Sequence, residues 1–200
     1  IPEIYKKIKK KDFRRHLFEG RELKNLNVGI IGMGTVGYEV AKRLKPFGCK
    51  LYAFDKNSIN KIKFKKLGGK FTNSIINLIS KIDILTLHCN LNKKNKNMLG
   101  SKEFNKIKKN ILLINCARGE LIKNDALINA IKKNKISYAS IDVINPEPNY
   151  DKISKNENLN HTFLKQKKIF YTPHIAASTL DAQKKISKYL ALKLKKFLKK

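Results

Sequence analysis

The stretch Val28-Gly29-Ile30-Ile31-Gly32-Met33-Gly34-Thr35-Val36-Gly37 decides the reading of this 200-residue chain. An apolar run ends in G-x-G-x-x-G and opens into the helical pattern Tyr38 to Leu44. Gly32 permits the tight strand-to-helix bend, Gly34 lets a diphosphate come close to the backbone, and Gly37 lets the helix pack on the strand. The first N–H groups of that helix have no internal acceptor, and its dipole favours negative charge there. A second apolar run, Leu51-Tyr52-Ala53-Phe54, ends in Asp55, eighteen residues beyond Gly37. An acidic side chain at that point binds both hydroxyls of an adenosine ribose and repels a 2′-phosphate, which favours NAD over NADP. The competing reading is an ordinary βα turn.

Composition sets the surroundings of this motif. At 42% hydrophobic residues the chain is globular, with enough length for one α/β domain or slightly more. Its formal charge of +30 invites a nucleic-acid reading. The lysines are scattered beside Asn and Ile through every segment, with no aromatic-interleaved stripe and no nucleic-acid motif. Compositional drift of an AT-rich kind explains them, so no specific nucleic acid is expected as a partner. Cys49, Cys89 and Cys116 are odd in number, far apart and set at apolar strand ends. They read as buried thiols of a reducing, cytoplasmic compartment, neither a disulfide framework nor a metal cluster. No long uncharged apolar run is present, so no membrane span and no membrane partner is expected.

Strands and helices alternate, the pattern of a parallel sheet covered on both faces. The spacing predicts a helix over 2–18, strands over 27–31 and 50–54, and a helix over 35–46 between them. Helices follow over 58–67 and 74–80, a strand over 82–88, a short helix over 101–108 and a strand over 111–115. Asn124 is placed to cap a helix over 124–134. Strands over 137–143 and 169–171 come next, separated by a Lys-rich loop over 149–168, and Ser178 opens a long amphipathic helix. His16 and His161 fall in Lys-rich segments and are expected to face solvent; His88 is expected to line the cleft.

In such a sheet the carboxyl ends of the strands form the ligand crevice. Cys116-Ala117-Arg118-Gly119 follows the strand over 111–115, Asp142 and then Glu147 follow the next, and Thr172-Pro173-His174-Ile175-Ala176-Ala177 follows the last. An Arg, a Glu and a His at successive strand ends suit hydride-transfer chemistry. The His exchanges a proton near neutral pH, the Glu orients it and favours its charged form, and the Arg grips a carboxylate through two parallel N–H bonds.

With these pieces in place, the chain resembles the cofactor-binding domain of the NAD-dependent D-2-hydroxyacid dehydrogenases, and within them the phosphoglycerate-oxidising branch most closely. VGIIGMGTVG, Asp55, the Leu87-His88 pair, INCARGELI, DALINAI, SIDV followed by Glu147-Pro148, and TPHIAAST carry the resemblance. It implies an α/β, Rossmann-type doubly wound parallel sheet. It makes Arg118 the residue that binds the substrate's carboxylate and keto oxygen, Glu147 the partner of the catalytic His, and His174 the general acid/base. For the cofactor it implies the N–H groups of Thr35 and Val36 on the diphosphate, Asp55 on the ribose and Asp142 on the nicotinamide carboxamide. Cys89 and Asn90 contact the nicotinamide half, which Cys116, Ala117, Arg118 and residues His174, Ile175, Ala176 and Ala177 also line. The partners implied are a small 2-hydroxyacid or 2-oxoacid and a second copy of the chain, joined mainly through cofactor domains.

The chain departs from the family pattern at several points. Asn90 stands where a Pro is usual, a Lys where a Thr follows, and Ala176 and Ala177 where glycines are usual; the segment from Glu147 to His174 is longer. The resemblance divides the chain into a crossover helix over 1–18, an NAD-binding domain over 19–177 and a helix over 178–200 leading back to a substrate domain that the chain lacks. Three further readings stay open: a dehydrogenase for glyoxylate, hydroxypyruvate or another small 2-oxoacid, a non-catalytic NAD-binding module of the corepressor kind, and a basic nucleic-acid-binding protein. Lysines scattered in this way attract a polyanion through charge alone. Any DNA binding should be independent of sequence and should collapse between low and physiological salt in a filter or anisotropy assay, as counterion release requires. Tight binding to one sequence at physiological salt would overturn the compositional reading of the charge.

Overall fold

Short apolar runs bounded by Gly, Asn and Lys form seven strands of one sheet: β1 (Asn27–Ile31), β2 (Lys50–Phe54), β3 (Lys70–Phe71), β4 (Ile84–Leu87), β5 (Ile111–Asn115), β6 (Ile136–Ile141) and β7 (Ile169–Tyr171). The structure, a computed structural model, describes residues 2–56, 58–108, 110–152 and 161–198; the middle of the predicted 149–168 loop lies outside them. Every pairing is parallel, in the order β3-β2-β1-β4-β5-β6-β7. The chain runs outward from β1 to β3, then returns to lay β4 on the other side of β1. This reversal opens a crevice at the carboxyl ends of β1 and β4, where ligands of doubly wound sheets bind.

The helices α2 (Thr35–Leu44), α3 (Ser58–Lys66), α4 (Ile75–Ile79), α5 (Ser101–Asn105) and α6 (Asn124–Lys132) join the strands. Two apolar clusters result. Val28, Ile30, Leu51 and Ala53 pack with Met33, Ala41 of α2 and Phe64 of α3, and Phe64 meets Phe71 edge-on at 5.1 Å. Ile31, Leu87, Leu113 and Ile141 pack with Leu78, Phe104, Leu127 and Ile131 of α4 to α6. Such nearly continuous apolar strands are what burial on both faces demands.

Close approach at the glycine turn fixes the geometry of the crevice. A Cβ on Gly37 would lie 2.0 Å from the carbonyl oxygen of Gly32, and one on Gly32, at φ +92°, would lie 2.5 Å from the Cys89 nitrogen. A Cβ on Gly34 would meet no heavy atom within 4 Å.

The N-terminal helix departs from expectation. Instead of spanning 2–18, α1 covers Pro2–Lys9. The chain then turns at Lys11, φ +60°, and Arg14 grips Asp12 through two bonds of 2.8 and 2.9 Å. Tyr5, Ile8, Phe13 and Leu17 stay exposed; a short helix without a packed face is marginal in water, so local turn bonds end it early. The last helix, α7 (Leu180–Leu198), has no buried residue among those described. Asn124 does not cap α6: Lys123 takes that position without a side-chain bond. The cysteines are free, but Cys49 and Cys89 are only half-buried and Cys116 is exposed, which corrects their reading as buried thiols. No helix among the described residues is long and apolar enough to cross a membrane.

The contrast between two glycines gives a test. Gly37→Ala should cost about 1–3 kcal/mol or more in urea unfolding, because its methyl group collides with backbone that cannot yield. Gly34→Ala should leave stability nearly unchanged. Equal stability of wild type and Gly37→Ala would show that α2 is not held against the turn.

Candidate active site

At the reversal of strand order lies a cleft of about 740 Å³, lined by Gly32, Gly34, Thr35, Val36, Asp55, His88, Cys89 and Asn90, together with Lys56, Lys93, Lys94 and others. Gly34, Thr35 and Val36 at the start of α2 line it, and the first N–H groups of a helix have no acceptor within it. The Asp55 carboxylate closes its β2 side and accepts the Met33 N–H at 2.5 Å, tying the end of β2 to the glycine turn. Gly37 stands behind the cleft against Gly32. An extended anionic dinucleotide fits these features. The bare backbone at Gly34 leaves room for a diphosphate, the helix start would supply donors, and Asp55 would supply an acceptor for ribose hydroxyls. His88 hydrogen-bonds Thr86 Oγ1 at 2.9 Å, and burial lowers its affinity for a proton. The Cys89 thiol is pushed up to about 11 by burial and the Cys116 thiol upward by partial loss of hydration at its sulfur and then by Asp142, so neither is an activated nucleophile.

The other expected residues stand outside the lining of this cleft, at the carboxyl ends of β5, β6 and β7. After β5, the turn over 116–118 is shaped by Asn115, which is 1% exposed. Its Oδ1 accepts the Ala117 N–H and its Nδ2 donates to the Arg118 carbonyl, both at 3.0 Å. Arg118 is exposed, with Nη1 donating to the Ala117 carbonyl at 2.6 Å. Gly119 lies so close to Ile144 that a Cβ would come within 2.3 Å of its carbonyl carbon. This brings the segments carrying Arg118 and Glu147 into backbone contact.

After β7, His174 adopts φ +54°, a conformation that costs a non-glycine residue about 1–3 kcal/mol unless its surroundings enforce it. Asp142 enforces it. The His174 N–H donates to the Asp142 carbonyl at 2.8 Å. The Asp142 carboxylate, 3% exposed, accepts from the Ile175 N–H at 3.0 Å, the Ala176 N–H at 2.9 Å and the Thr172 hydroxyl at 2.5 Å. Burial raises the affinity of this carboxyl for a proton, but the Thr172, Ala176 and Ile175 donors and the His174 charge outweigh it, so it sits below the usual carboxylate range. In the resulting turn His174 Nδ1 hydrogen-bonds Glu147 Oε1. Both side chains remain partly open to solvent, 41% and 38% exposed. Nε2 of His174 is left as the ring atom available to a ligand.

Three features were not read from the sequence. Asn115 shapes the Arg118 turn; an Asn that closes a buried strand just before a turn is the signal, since its side chain mimics backbone. The clamping role of Asp142 is the second. The third corrects the reading of His161, which is 8% exposed rather than solvent-facing. Its Nδ1 accepts the Phe163 N–H at 3.2 Å, so Nε2 carries the proton and donates to the Asn145 carbonyl at 3.1 Å. Asn124 Nδ2 donates to the same carbonyl at 2.6 Å. Together they pin the chain two residues before Glu147.

The Asp142 clamp is testable by stability. Because its folded carboxyl binds a proton less readily than the unfolded one, its contribution is present above pH 3.8 and lost as pH falls below that value. Asp142→Asn should destabilise the fold by about 1–3 kcal/mol at pH 7 in thermal or urea unfolding, since an amide nitrogen cannot accept an N–H. The gap should narrow as pH falls below 3.8, and a gap that stays constant, or none at pH 7, contradicts the clamp.

Residues 1–176 match the D-isomer specific 2-hydroxyacid dehydrogenase, NAD binding domain. The D-3-phosphoglycerate dehydrogenase of Methanocaldococcus jannaschii is 34% identical over 199 residues, all of this chain and 36% of that protein. A glyoxylate reductase of Thermococcus litoralis is 33% identical over 183 residues, 92% of this chain and 52% of that protein. The solved D-isomer specific 2-hydroxyacid dehydrogenase of Lactobacillus delbrueckii ssp. bulgaricus, in its NAD-complexed form, superposes with a TM-score of 0.76 at 28% identity, over 90% of this chain and 55% of that one. The chain thus spans about a third of the length of the first and about half of the other two. It belongs to the D-isomer specific 2-hydroxyacid dehydrogenase family, as an NAD-binding domain.

Proposed function

We propose that this domain serves an NAD-dependent D-2-hydroxyacid dehydrogenase whose substrate is D-3-phosphoglycerate, the reaction that opens a route to serine. The observation that carries the dehydrogenase reading is the His174–Glu147 pair, held at a strand end of the same sheet as the glycine-turn cleft. When bound, the cofactor supplies a hydride acceptor for substrate C2. Glu147 holds Nδ1 of His174, so Nε2 takes the hydroxyl proton in oxidation and returns it in reduction. The Arg118 guanidinium binds the substrate carboxylate through paired N–H bonds and orients the reacting carbon. Asp55 selects the unphosphorylated ribose, and the N–H groups of Thr35 and Val36 hold the diphosphate. Cys89, Asn90, Cys116, Ala117 and the backbone of Ile175, Ala176 and Ala177 complete the nicotinamide end.

Similarity to the phosphoglycerate dehydrogenase over the whole chain supports the substrate assignment. The comparable similarity to a glyoxylate reductase supports a second reading, a small 2-oxoacid such as glyoxylate or hydroxypyruvate. The reading includes a substrate-binding domain against α7, whose Leu190, Leu194 and Phe197 are exposed, and a homodimer to which α1 and the residues after it contribute exposed Tyr5, Phe13 and Leu17.

Steady-state kinetics of the full-length protein test this reading. His174→Ala should lower kcat by about 10²–10⁴-fold while NADH affinity holds, since only proton transfer is removed. Arg118→Lys should chiefly lower kcat/KM, because an ammonium cannot reproduce the planar fork. A His174→Ala protein with wild-type kcat would refute the mechanism. A higher kcat/KM for glyoxylate reduction than for phosphohydroxypyruvate reduction would replace the substrate assignment with the second reading.

A further inference from the structure

The loop between β4 and α5 carries Lys93 and Lys94 into the lining of the cleft that holds Gly34, Thr35 and Asp55. Its backbone is closed on itself by asparagines. Asn95 Oδ1 accepts the Asn92 N–H at 2.7 Å, Asn92 Oδ1 accepts the Lys94 N–H at 2.9 Å, and Asn95 Nδ2 donates to the Asn90 carbonyl at 2.7 Å. At the far side of the loop Asn97, φ +54°, donates its N–H to the Glu120 carbonyl at 2.7 Å, and the Leu99 N–H reaches Leu121 at 3.1 Å. The two lysines therefore rise from a backbone anchored at both ends, next to the segment that follows Arg118. With Lys56 they place three cations on a cleft lined by one carboxylate, Asp55. The helix start alone offers only a partial charge to a doubly anionic diphosphate.

We infer that Lys93 and Lys94 form a cationic clasp for the cofactor's diphosphate on the β4 side of the cleft, complementing the N–H groups of α2. This rests on the cofactor reading above and adds to it residues whose chemistry is electrostatic. A clasp on a fixed loop loses less freedom on binding than two free surface side chains, and its attraction weakens as salt screens it. Lys96 belongs to the same loop but not to the cleft lining, and Lys102 is exposed on α5. These two give a control of equal charge.

Fluorescence titration with NADH, in the full-length protein, is the test. Lys93→Gln/Lys94→Gln should weaken NADH binding roughly tenfold at low salt, the effect of removing two partly exposed ion pairs. The difference should fade between about 0.01 and 1 M salt, as the Debye length drops from about 30 to about 3 Å. Lys96→Gln/Lys102→Gln should change affinity by less than about twofold, its charges lying off the cleft. Competition by ADP should follow NADH, while adenosine, which carries no phosphate, should bind both proteins alike. Unchanged NADH affinity in Lys93→Gln/Lys94→Gln overturns the clasp. So does an equal loss in Lys96→Gln/Lys102→Gln, which would assign the effect to the overall charge. Failure of the wild-type protein to bind NADH at all would instead overturn the cofactor reading on which the clasp rests.

Discussion

The structure depends on one backbone contact, the approach of α2 to the turn that ends β1. A Cβ at Gly37 would overlap the Gly32 carbonyl at 2.0 Å, so only a glycine lets the helix start there. The Gly32 N–H reaches the Phe54 carbonyl at 3.0 Å, and the His88 N–H reaches the Ile31 carbonyl at 2.7 Å. One turn thus sets the ends of β1, β2 and β4 against each other. From that junction follow the free N–H groups of α2, the placement of Asp55 against Met33, and a cleft at the point where strand order reverses. An element that served packing alone would not need the bare backbone at Gly34, which leaves open space within the cleft.

A second constraint governs the carboxyl ends of β6 and β7. Asp142 spends its carboxylate on one hydroxyl and two N–H groups of the segment around His174. These bonds offset the backbone conformation that turns His174 toward Glu147. The Glu147 side is held in the same manner, by the His161 and Asn124 bonds to the Asn145 carbonyl. Both members of the pair are aligned by hydrogen bonds of neighbouring groups, while the pair itself stays partly open to solvent. Such an arrangement fixes the geometry of the pair and leaves it accessible.

What the sequence showed and what it concealed divide along a physical line. The glycine turn, Asp55 and the strand ends bearing Arg118, Glu147 and His174 were legible because they are local, a fixed spacing and a period that a few residues carry. The strand β3 was not, since Lys70 and Phe71 are too few to show a period and pair only because β2 presents an edge. The early end of α1 was hidden because an amphipathic pattern persists to Phe18 while the surface to bury it is not among the described elements. His161 reads as one more residue of a Lys-rich loop until the fold brings it to Asn145, sixteen positions away. Asp142 was legible as a strand-end acid, but its partners, some thirty residues on, belong to another strand end.

The most direct measurement of the central claim is a crystal structure of the protein with NADH. The expected complex has the diphosphate within hydrogen-bond reach, about 2.7–3.2 Å, of the Thr35 and Val36 N–H groups. It places the adenosine ribose hydroxyls on Asp55, and the nicotinamide ring between the Arg118 turn and His174. A dinucleotide bound elsewhere on the lysine-rich surface, or bound in the cleft with its nicotinamide pointing away from His174, would contradict the account.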